Sequence, residues 1–472
     1  MRFSTLAAAL CALSAVAVPM AAAANEGLFE AVLKSDHAAV ARLLADKADA
    51  NSRRADGSTP LQWAVDRQDA ESVGLLLAAK ADPNAVDRDG ATALALACEL
   101  GDAGIVQRLL DAGAKVNVTR PDGVAPITLC AGASTPAALA RLVEAGADVN
   151  VASPRGQTPV MFAAARGRAD NIAFLTERGA DLNRATKKGF TPLFFAVQSR
   201  APGVAEALIQ AGADPKYVST DGVTALELAL LNEDFGLATK LVDLGADVNR
   251  WDINGRQPLH IAAAKNNAPF IRLLLAKGAD PNVLTRQLYR AEAHDEAGRA
   301  ALRDSVWPAN DPTVKVVIRQ SPGGGAMPPP PATTPLMIAA TQGSVELMKM
   351  LIEAGAKPDF RAKDGANLLL AAVNSGDPEV VRYALTLSPD VNATTTNGQS
   401  VMHLAVVRAR GEAGQQMIRL LADRGAKLDA RNARGFTPER IAQQRSEPEI
   451  RAFYAALLKE KGVTQAALAP RS

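Results

Sequence analysis

One fixed spacing recurs through most of this chain and constrains its fold more than any other feature. Thr-Pro pairs recur at Thr59, Thr158, Thr191 and Thr334, and Asp-Gly or Asn-Gly pairs separate the segments. Gly-Ala-Asp triplets begin at equal intervals, at Gly146, Gly179, Gly212, Gly245 and Gly278. A fixed period of about 33 residues, as here, is typical of repeat proteins. Aromatic residues make up only 4% of the 472 residues, which favours many small cores over one large core.

The local chemistry of one period predicts two short helices and a turn. Thr is a good N-cap and Pro is preferred at the first helical position, so Thr59-Pro60 predicts a helix from Leu61 to about Gln68. A second helix carries an apolar stripe, as at Ile105, Val106, Leu109 and Leu110. An Asp-Gly or Asn-Gly pair then favours a tight hairpin turn. Neither helix can bury its apolar face alone, so the unit is stable only when it is stacked on neighbours.

This pattern resembles the ankyrin repeat, and its best single match is Gln257-Pro258-Leu259-His260-Ile261-Ala262. The resemblance implies an all-α solenoid of helix pairs joined by β-hairpin loops. We expect twelve repeats, the first and last acting as caps. In the final helix, Ile450, Phe453, Leu457 and Leu458 are expected to face inward. The repeats begin at Asn25, Ser58, Ala91, Val124, Gln157, Phe190, Val223, Arg256, Thr333, Ala366, Gln399 and Phe436.

The period also predicts the domain boundaries. Residues 25–285 hold repeats one to eight, residues 333–462 hold repeats nine to twelve, and residues 463–472 form a flexible tail. Residues 286–332 break the period and form a long insertion. Within it, helical spacing covers 287–305, strand-like alternation covers 313–318, and a Gly- and Pro-rich linker follows. Because it follows the hairpin arm at Asn282, we expect this segment to form a finger beside the binding groove, and long loop insertions of this kind are often functional.

The segment 1–24 is predicted to be a secretory signal peptide. Arg2 precedes a mostly apolar stretch over 6–18, and four Ala residues end at Ala24, where we expect cleavage. The apolar stretch is too short to span a membrane, which takes roughly 20 residues. A lipid anchor at Cys11 is disfavoured because Leu10 stands where a small residue is expected. The protein is therefore predicted to be periplasmic or secreted, without membrane insertion.

Few residues in the chain suggest chemistry. Three Cys exclude a disulfide-dense scaffold, and a net charge of +2 argues against nucleic-acid binding. Cys98 and Cys130 are predicted to be buried free thiols, because stacked helices lie roughly 10 Å apart whereas disulfide-linked Cα atoms lie within about 7 Å. The remaining candidates are the four histidines. The resemblance implies structural roles for His260 and His403, His37 is expected to be solvated, and His294 is a poor candidate for metal binding or catalysis. No cofactor or metal is expected.

The resemblance implies that a partner binds where variable residues flank each turn Gly. Carried over by position, these residues include Lys187, Lys188, Phe190, Asp221, Ile253 and Arg256. The rings of Tyr217, Trp251, Tyr289 and Trp307 lie near the same stretch, and large aromatic side chains are enriched in binding hot spots. The alternative is that these rings pack hairpins against one another, or the insertion onto the stack.

These features predict a monomeric, non-enzymatic scaffold of the bacterial envelope that binds another protein on a concave face. A second hypothesis is an effector secreted further, which binds host or competitor proteins. A hydrolase or metal site in the insertion around His294 is disfavoured, and a repeat filament is the structural alternative. The sequence does not identify the partner.

Overall fold

The computed structural model describes residues 23–201, 203–252, 254–285, 332–387 and 390–463. In these residues it contains 24 helices and no strands, so the predicted all-α solenoid is confirmed. The expected hairpins occur as isolated antiparallel bridges, for example between Val86 and Thr92. The helix, strand and linker predicted between 287 and 331 lie outside the described residues, as do most of the predicted leader and tail. The chain divides into two compact units, with the boundary between Asn232 and Glu233.

The first unit contains six helix pairs and one further helix, and the first helix of one pair packs on the first helix of the next. Its helices are α1 (23–33), α2 (His37–Ala45), α3 (Pro60–Asp66), α4 (Ala70–Ala78), α5 (Ala93–Leu100), α6 (Ala103–Asp111), α7 (Pro126–Ala133), α8 (Pro136–Glu144), α9 (Pro159–Ala165), α10 (Ala169–Glu177), α11 (Pro192–Ser199), α12 (Val204–Gln210) and α13 (Ala225–Leu231).

The second unit repeats this arrangement with one helix and five pairs. Its helices are α14 (Phe235–Asp243), α15 (Pro258–Ala264), α16 (Ala268–Ala276), α17 (Pro335–Thr341), α18 (Val345–Glu353), α19 (Leu368–Ser375), α20 (Pro378–Leu387), α21 (Val401–Arg408), α22 (Gly411–Asp423), α23 (Pro438–Arg445) and α24 (Pro448–Glu460).

Several helix starts follow the predicted capping chemistry, whereas Thr158 and Thr191 precede Pro without making a side-chain cap hydrogen bond. Thr59 Oγ1 accepts a hydrogen bond from the backbone N–H of Gln62 at 3.3 Å, and Pro60 is the first residue of α3. Where the Thr-Pro pair is lost, Asn367 replaces Thr and its Oδ1 accepts from Leu370 N at 3.0 Å. A side-chain oxygen at this position satisfies a backbone N–H group that has no partner within the helix. Helix α19 therefore begins in register without Pro.

In seven repeats an asparagine two residues after the Asp at this position of the period links one hairpin to the next. Asn150 Nδ2 donates to Gly179 O at 2.9 Å, and Asn150 Oδ1 accepts from Asp181 N at 2.8 Å. One amide therefore satisfies a donor and an acceptor of the neighbouring repeat, which fixes the stacking register. The same pair of bonds is made by Asn51, Asn84, Asn183, Asn249, Asn282 and Asn392.

In the second unit, these contacts continue across the segment 286–332. Asn282 Nδ2 donates to Gly355 O at 3.0 Å, and Asn282 Oδ1 accepts from Lys357 N at 2.8 Å. Thr285 N donates to Thr333 O at 3.0 Å. In the preceding hairpin, the equivalent hydrogen bond runs from Asp252 N to Arg256 O. The segment therefore leaves and re-enters the stack at one hairpin turn.

Cys98 and Cys130 form a disulfide, so the prediction of free thiols was wrong. Their Cα atoms are only 4.3 Å apart, on α5 and α7. The prediction assumed the distance of roughly 10 Å between helix axes that is usual when bulky side chains lie at the contact. Here Ala97 and Ala131, both fully buried beside the cysteines, allow the two helix backbones to approach much more closely.

The described histidines are structural. His260 Nδ1 accepts from Gln257 N at 3.0 Å, so its Nε2 carries the proton and donates to Val283 O at 3.2 Å. His403 makes the same bonds with Ser400 N and Phe436 O, which confirms the role predicted for both. His37 was expected to be solvated, and its side chain is 35% exposed, but its ring also lies 2.9 Å from Asp69 Oδ1 and 3.1 Å from Glu71 Oε2. Both carboxylates lie at the start of α4, the second helix of the next repeat. They therefore approach His37 only when the two repeats stack. His294 lies outside the described residues.

The last helix caps the stack nearly as expected. Ile450, Leu457 and Leu458 are buried, whereas Phe453 is half-buried beneath the Arg419 guanidinium, which lies 5.3 Å from its ring centroid. Tyr454 takes the fourth inward position, and its hydroxyl donates to Leu428 O at 2.9 Å. A buried hydroxyl needs such a partner, which the apolar pattern alone did not reveal.

We expect the segment 286–332 to be dispensable for folding. Replacing it with the sequence of the turn 253–255 should leave the helical circular dichroism signal per residue unchanged. The melting temperature should stay the same or rise. Shortening the loop by about four doublings of length removes about 2 kcal/mol of closure entropy. As a control, deleting α18 should abolish cooperative melting of the second unit. Unfolding of the shortened chain would show that the segment is part of the core.

We expect His260→Gln to flatten the dependence of stability on pH. Burial lowers the pKa of His260 from 6.5 to about 4. The unfolded chain therefore binds more protons than the folded chain between these values. The stabilising contribution is complete above pH 6.5 and is lost as the pH falls towards 4, by about 1.4 kcal/mol per pH unit.

Gln is a matched replacement, because Gln62 occupies the same position in an earlier repeat. Its Nε2 donates to Ala91 O at 2.8 Å, and its Oε1 accepts from Thr59 N at 2.9 Å. Urea midpoints at pH 7 and pH 5 should fall less for His260→Gln than for the wild type. An equal fall in both proteins would contradict the assignment.

Candidate partner-binding surface

The two aromatic residues predicted on the first unit, Phe190 and Tyr217, both pack against Phe194. The ring centroids of Phe190 and Phe194 lie 5.6 Å apart, and those of Phe194 and Tyr217 lie 6.1 Å apart, both in edge-on geometry. Phe194 is buried in α11, whereas Phe190 and Tyr217 are half-buried on successive hairpins. These rings therefore have a packing role, but they hold hairpins on the helix layer and not against one another, and they leave only part of their surface to a partner.

The charged residues predicted on the first unit lie at hairpin tips. Lys187 and Asp221 are exposed, and Lys188 is half-buried. Their backbones are tied to neighbouring hairpins, since Lys187 N donates to Arg155 O at 3.0 Å and Thr220 Oγ1 donates to Lys188 O at 2.9 Å. The tips are thus rigidly placed and accessible from solvent.

The residues predicted on the second unit have structural partners. Both Nε and Nη2 of Arg256 contact Asp252 Oδ2, at 2.9 Å and 2.8 Å, and this buried carboxylate also accepts from Arg256 N. Trp251 is half-buried and lines a hollow of 620 Å³ with Gln257, Val283 and Leu284, where segment 286–332 leaves the stack. Ile253, Tyr289 and Trp307 lie outside the described residues.

A larger groove in the second unit was missed by the sequence analysis. It has a volume of 730 Å³ and is lined by hairpin tips and by the helices α17, α19, α21 and α23. Aromatic residues were the basis of the predicted site, and Phe436 is the one Phe, Tyr or Trp among the described residues that line this groove. The available signal was positional, because Asn397 and Arg434 flank turn glycines just as Lys188 and Asp221 do.

The groove has an apolar floor and polar rims. Met337, Leu370, Leu404, Phe436 and Ile441 contribute apolar surface from successive repeats. The lining is polar at the hairpin tips and at the carboxyl-terminal ends of the first helix of each repeat. The polar lining residues at these two places include Asp364, Thr395, Asn397, Asn432, Arg434, Thr341, Asn374, Gln444 and Arg445.

Three charged residues set the electrostatics of this groove at neutral pH. Burial lowers the pKa of His403, so its imidazole on the groove wall is neutral. Asp364, Arg434 and Arg445 remain as charged lining residues. Such a surface has the features of a macromolecular contact, with an apolar centre and a polar rim.

The described part of the chain contains a groove suited to binding, and its side chains are not arranged as a metal site. Within it, no group of three or more His, Cys, Asp or Glu residues is arranged to hold a metal ion. Nor is any helix of the described ranges long and apolar enough to cross a membrane.

Comparisons with known proteins match these helix pairs. A model of the family described as ankyrin repeats in three copies matches residues 28–120, 127–219, 211–285 and 330–450. Ankyrin repeat and KH domain-containing protein 1 of Homo sapiens is 34% identical over 103 residues, which are 22% of this chain and 4% of that protein. Phosphocholine transferase AnkX of Legionella pneumophila is 34% identical over 103 residues, which are 21% of this chain and 11% of that protein.

Among solved structures, the ankyrin repeat domain of Bcl-3, described as a unique member of the IkappaB protein family, is 26% identical. The match covers 43% of this chain and 92% of the Bcl-3 chain, with a TM-score of 0.37. The chain spans only a small part of the two curated relatives. The family model, in contrast, matches well over half of this chain, and its matches coincide with the stacked helix pairs. The chain therefore belongs to the ankyrin repeat family.

Proposed function

We propose that this protein is a non-enzymatic scaffold of the bacterial envelope that holds another protein in the groove of its second unit. Ankyrin repeats are generally protein–protein interaction modules, which supports binding as the type of function. The single observation that carries the choice of site is the groove itself. It is apolar at its floor, polar at its rims and lined by rigid repeats.

The groove fits a partner better than the aromatic stretch does. Phe190 and Tyr217 already contact Phe194, and Arg256 already contacts Asp252. Groove residues such as Leu404 and Gln444 are partly or fully exposed, so a partner would bury area that the fold leaves open. Removing apolar area from water contributes roughly 25 cal/mol per Å². The tips at Lys187 and Asp221 remain a second candidate surface.

Two observations support export. The segment 1–24 has the composition of a secretory signal. The disulfide between Cys98 and Cys130 suits an oxidising compartment, because cytosolic thiols are kept reduced. The match to AnkX covers repeats alone and does not extend to that protein's transferase activity. It keeps a secreted effector as the alternative location of the same binding function.

Position-specific crosslinking tests the binding face. A photoreactive amino acid at Asn374, Leu404 or Gln444 should crosslink a partner protein in the cells that produce the chain, because these residues line the groove. The same group at exposed Gln416 on α22 is the matched control and should give no product. Crosslinks from Lys187 or Asp221 without any from the groove would show that the partner binds the first unit. Products of equal yield from the groove and from Gln416 would contradict the proposal.

Thiol trapping and N-terminal mass spectrometry test export. The mature protein should begin near Asn25 in the envelope or medium, and it should contain no alkylatable thiol before reduction. Cys98 and Cys130 are paired, and export with cleavage at the proposed site would remove the third cysteine, Cys11. A cytosolic chain that retains residue 1 and three free thiols would contradict the proposed location. The binding proposal would be unaffected.

A further inference from the structure

Two arginine side chains in the second-unit groove carry charge that no described residue offsets. Arg434 lies at the tip of the last hairpin, and Arg445 is the final residue of α23. Both are exposed and both line the groove. Across the described ranges, neither guanidinium makes a hydrogen bond or an ion pair. Each therefore has its full set of N–H donors available to a partner.

Two neighbouring arginines and the one carboxylate among the described lining residues make contacts of their own. Arg408 Nε donates to Asn374 Oδ1 at 3.1 Å, and the Arg440 guanidinium lies 4.1 Å from the centroid of the Phe436 ring. Asp364, the one carboxylate among the described lining residues, accepts from Ala366 N at 3.0 Å within its own turn. The net charge of the described lining residues is therefore positive, and its two cations lie on the last hairpin and at the end of α23.

The surface between these arginines fits an extended peptide. Leu404, Val407 and Ile441 supply apolar contacts, and the Gln399 and Gln444 side chains supply amide groups that can pair with a peptide backbone. A volume of 730 Å³ lies in the range of well-formed ligand sites, roughly 300–1,000 Å³. Nucleic acid is a poorer fit, because it needs a basic track along its phosphates and this groove offers two arginines.

We propose that the groove receives an acidic, extended segment of the partner protein. Its carboxylates contact Arg434 and Arg445, and its apolar side chains lie on the floor formed by Leu404, Val407 and Ile441. The planar guanidinium matches a carboxylate through two parallel hydrogen bonds, which gives geometric specificity as well as attraction. This inference rests on the proposed function, since it names the chemistry of the partner that the same groove binds.

Selection from a random-sequence peptide display library on the folded, oxidised full chain tests the inference. Peptides retained by the wild type should be enriched in Asp and Glu beside apolar residues. A synthetic selected peptide should bind Arg434→Glu/Arg445→Glu about tenfold more weakly or worse, because both attractive contacts become repulsive. Its affinity for the wild type should also fall with added salt.

The matched control is Arg424→Glu/Arg451→Glu, which changes the net charge equally at exposed residues outside the groove lining. It should bind the selected peptide like the wild type, and both double variants should keep the wild-type melting temperature. The inference is overturned if the selection shows no acidic enrichment, or if it yields no peptide that the groove variant binds more weakly than the control variant. Groove crosslinks to a partner would still stand in that case, so only the partner's acidic chemistry would be rejected.

Discussion

Each helix pair depends on the next pair to bury its apolar side chains, and the rest of the structure follows from this dependence. Leu61, Leu94 and Leu193 occupy equivalent positions in three repeats and are fully buried. Burial of such a side chain contributes about 2 kcal/mol, whereas a hydrogen bond contributes about 1 kcal/mol net. Apolar burial thus drives stacking. The repeated asparagine, with its two directional bonds, sets the register in which the repeats stack.

The same division explains where the chain tolerates change. A hairpin tip carries no buried apolar side chain, so the segment 286–332 can replace one turn while Asn282 still reaches Gly355. A change within the helix layer has the opposite consequence. The close approach of α5 and α7 required small side chains on both helices, and that approach in turn brought Cys98 and Cys130 within bonding distance.

Binding residues on such a scaffold are hard to rank by residue type alone. Aromatic side chains are common in hot spots, but in a chain with few of them they also serve as packing groups. Phe190 and Tyr217 illustrate this conflict, because both touch Phe194. Arg256 was placed correctly at a hairpin tip, yet its guanidinium holds Asp252. In the second unit, Arg434 and Arg445 also line a partner-accessible surface, and among the described residues they have no such partner.

The amino-acid sequence by itself determined the helix pairs, their capping by Thr or Asn, the place of the insertion in the period and the structural roles of His260 and His403. The first three features depend on residues close together in the chain or repeated at one period, so local chemistry suffices to predict them, whereas the histidine roles followed from the resemblance to the ankyrin repeat. Only the tertiary structure decided the disulfide, the contacts of His37 with Asp69 and Glu71, the inward turn of Tyr454 and the groove lined by four successive first helices. Each of these depends on how closely two repeats approach, and that distance is set by side-chain volumes on both sides of the contact.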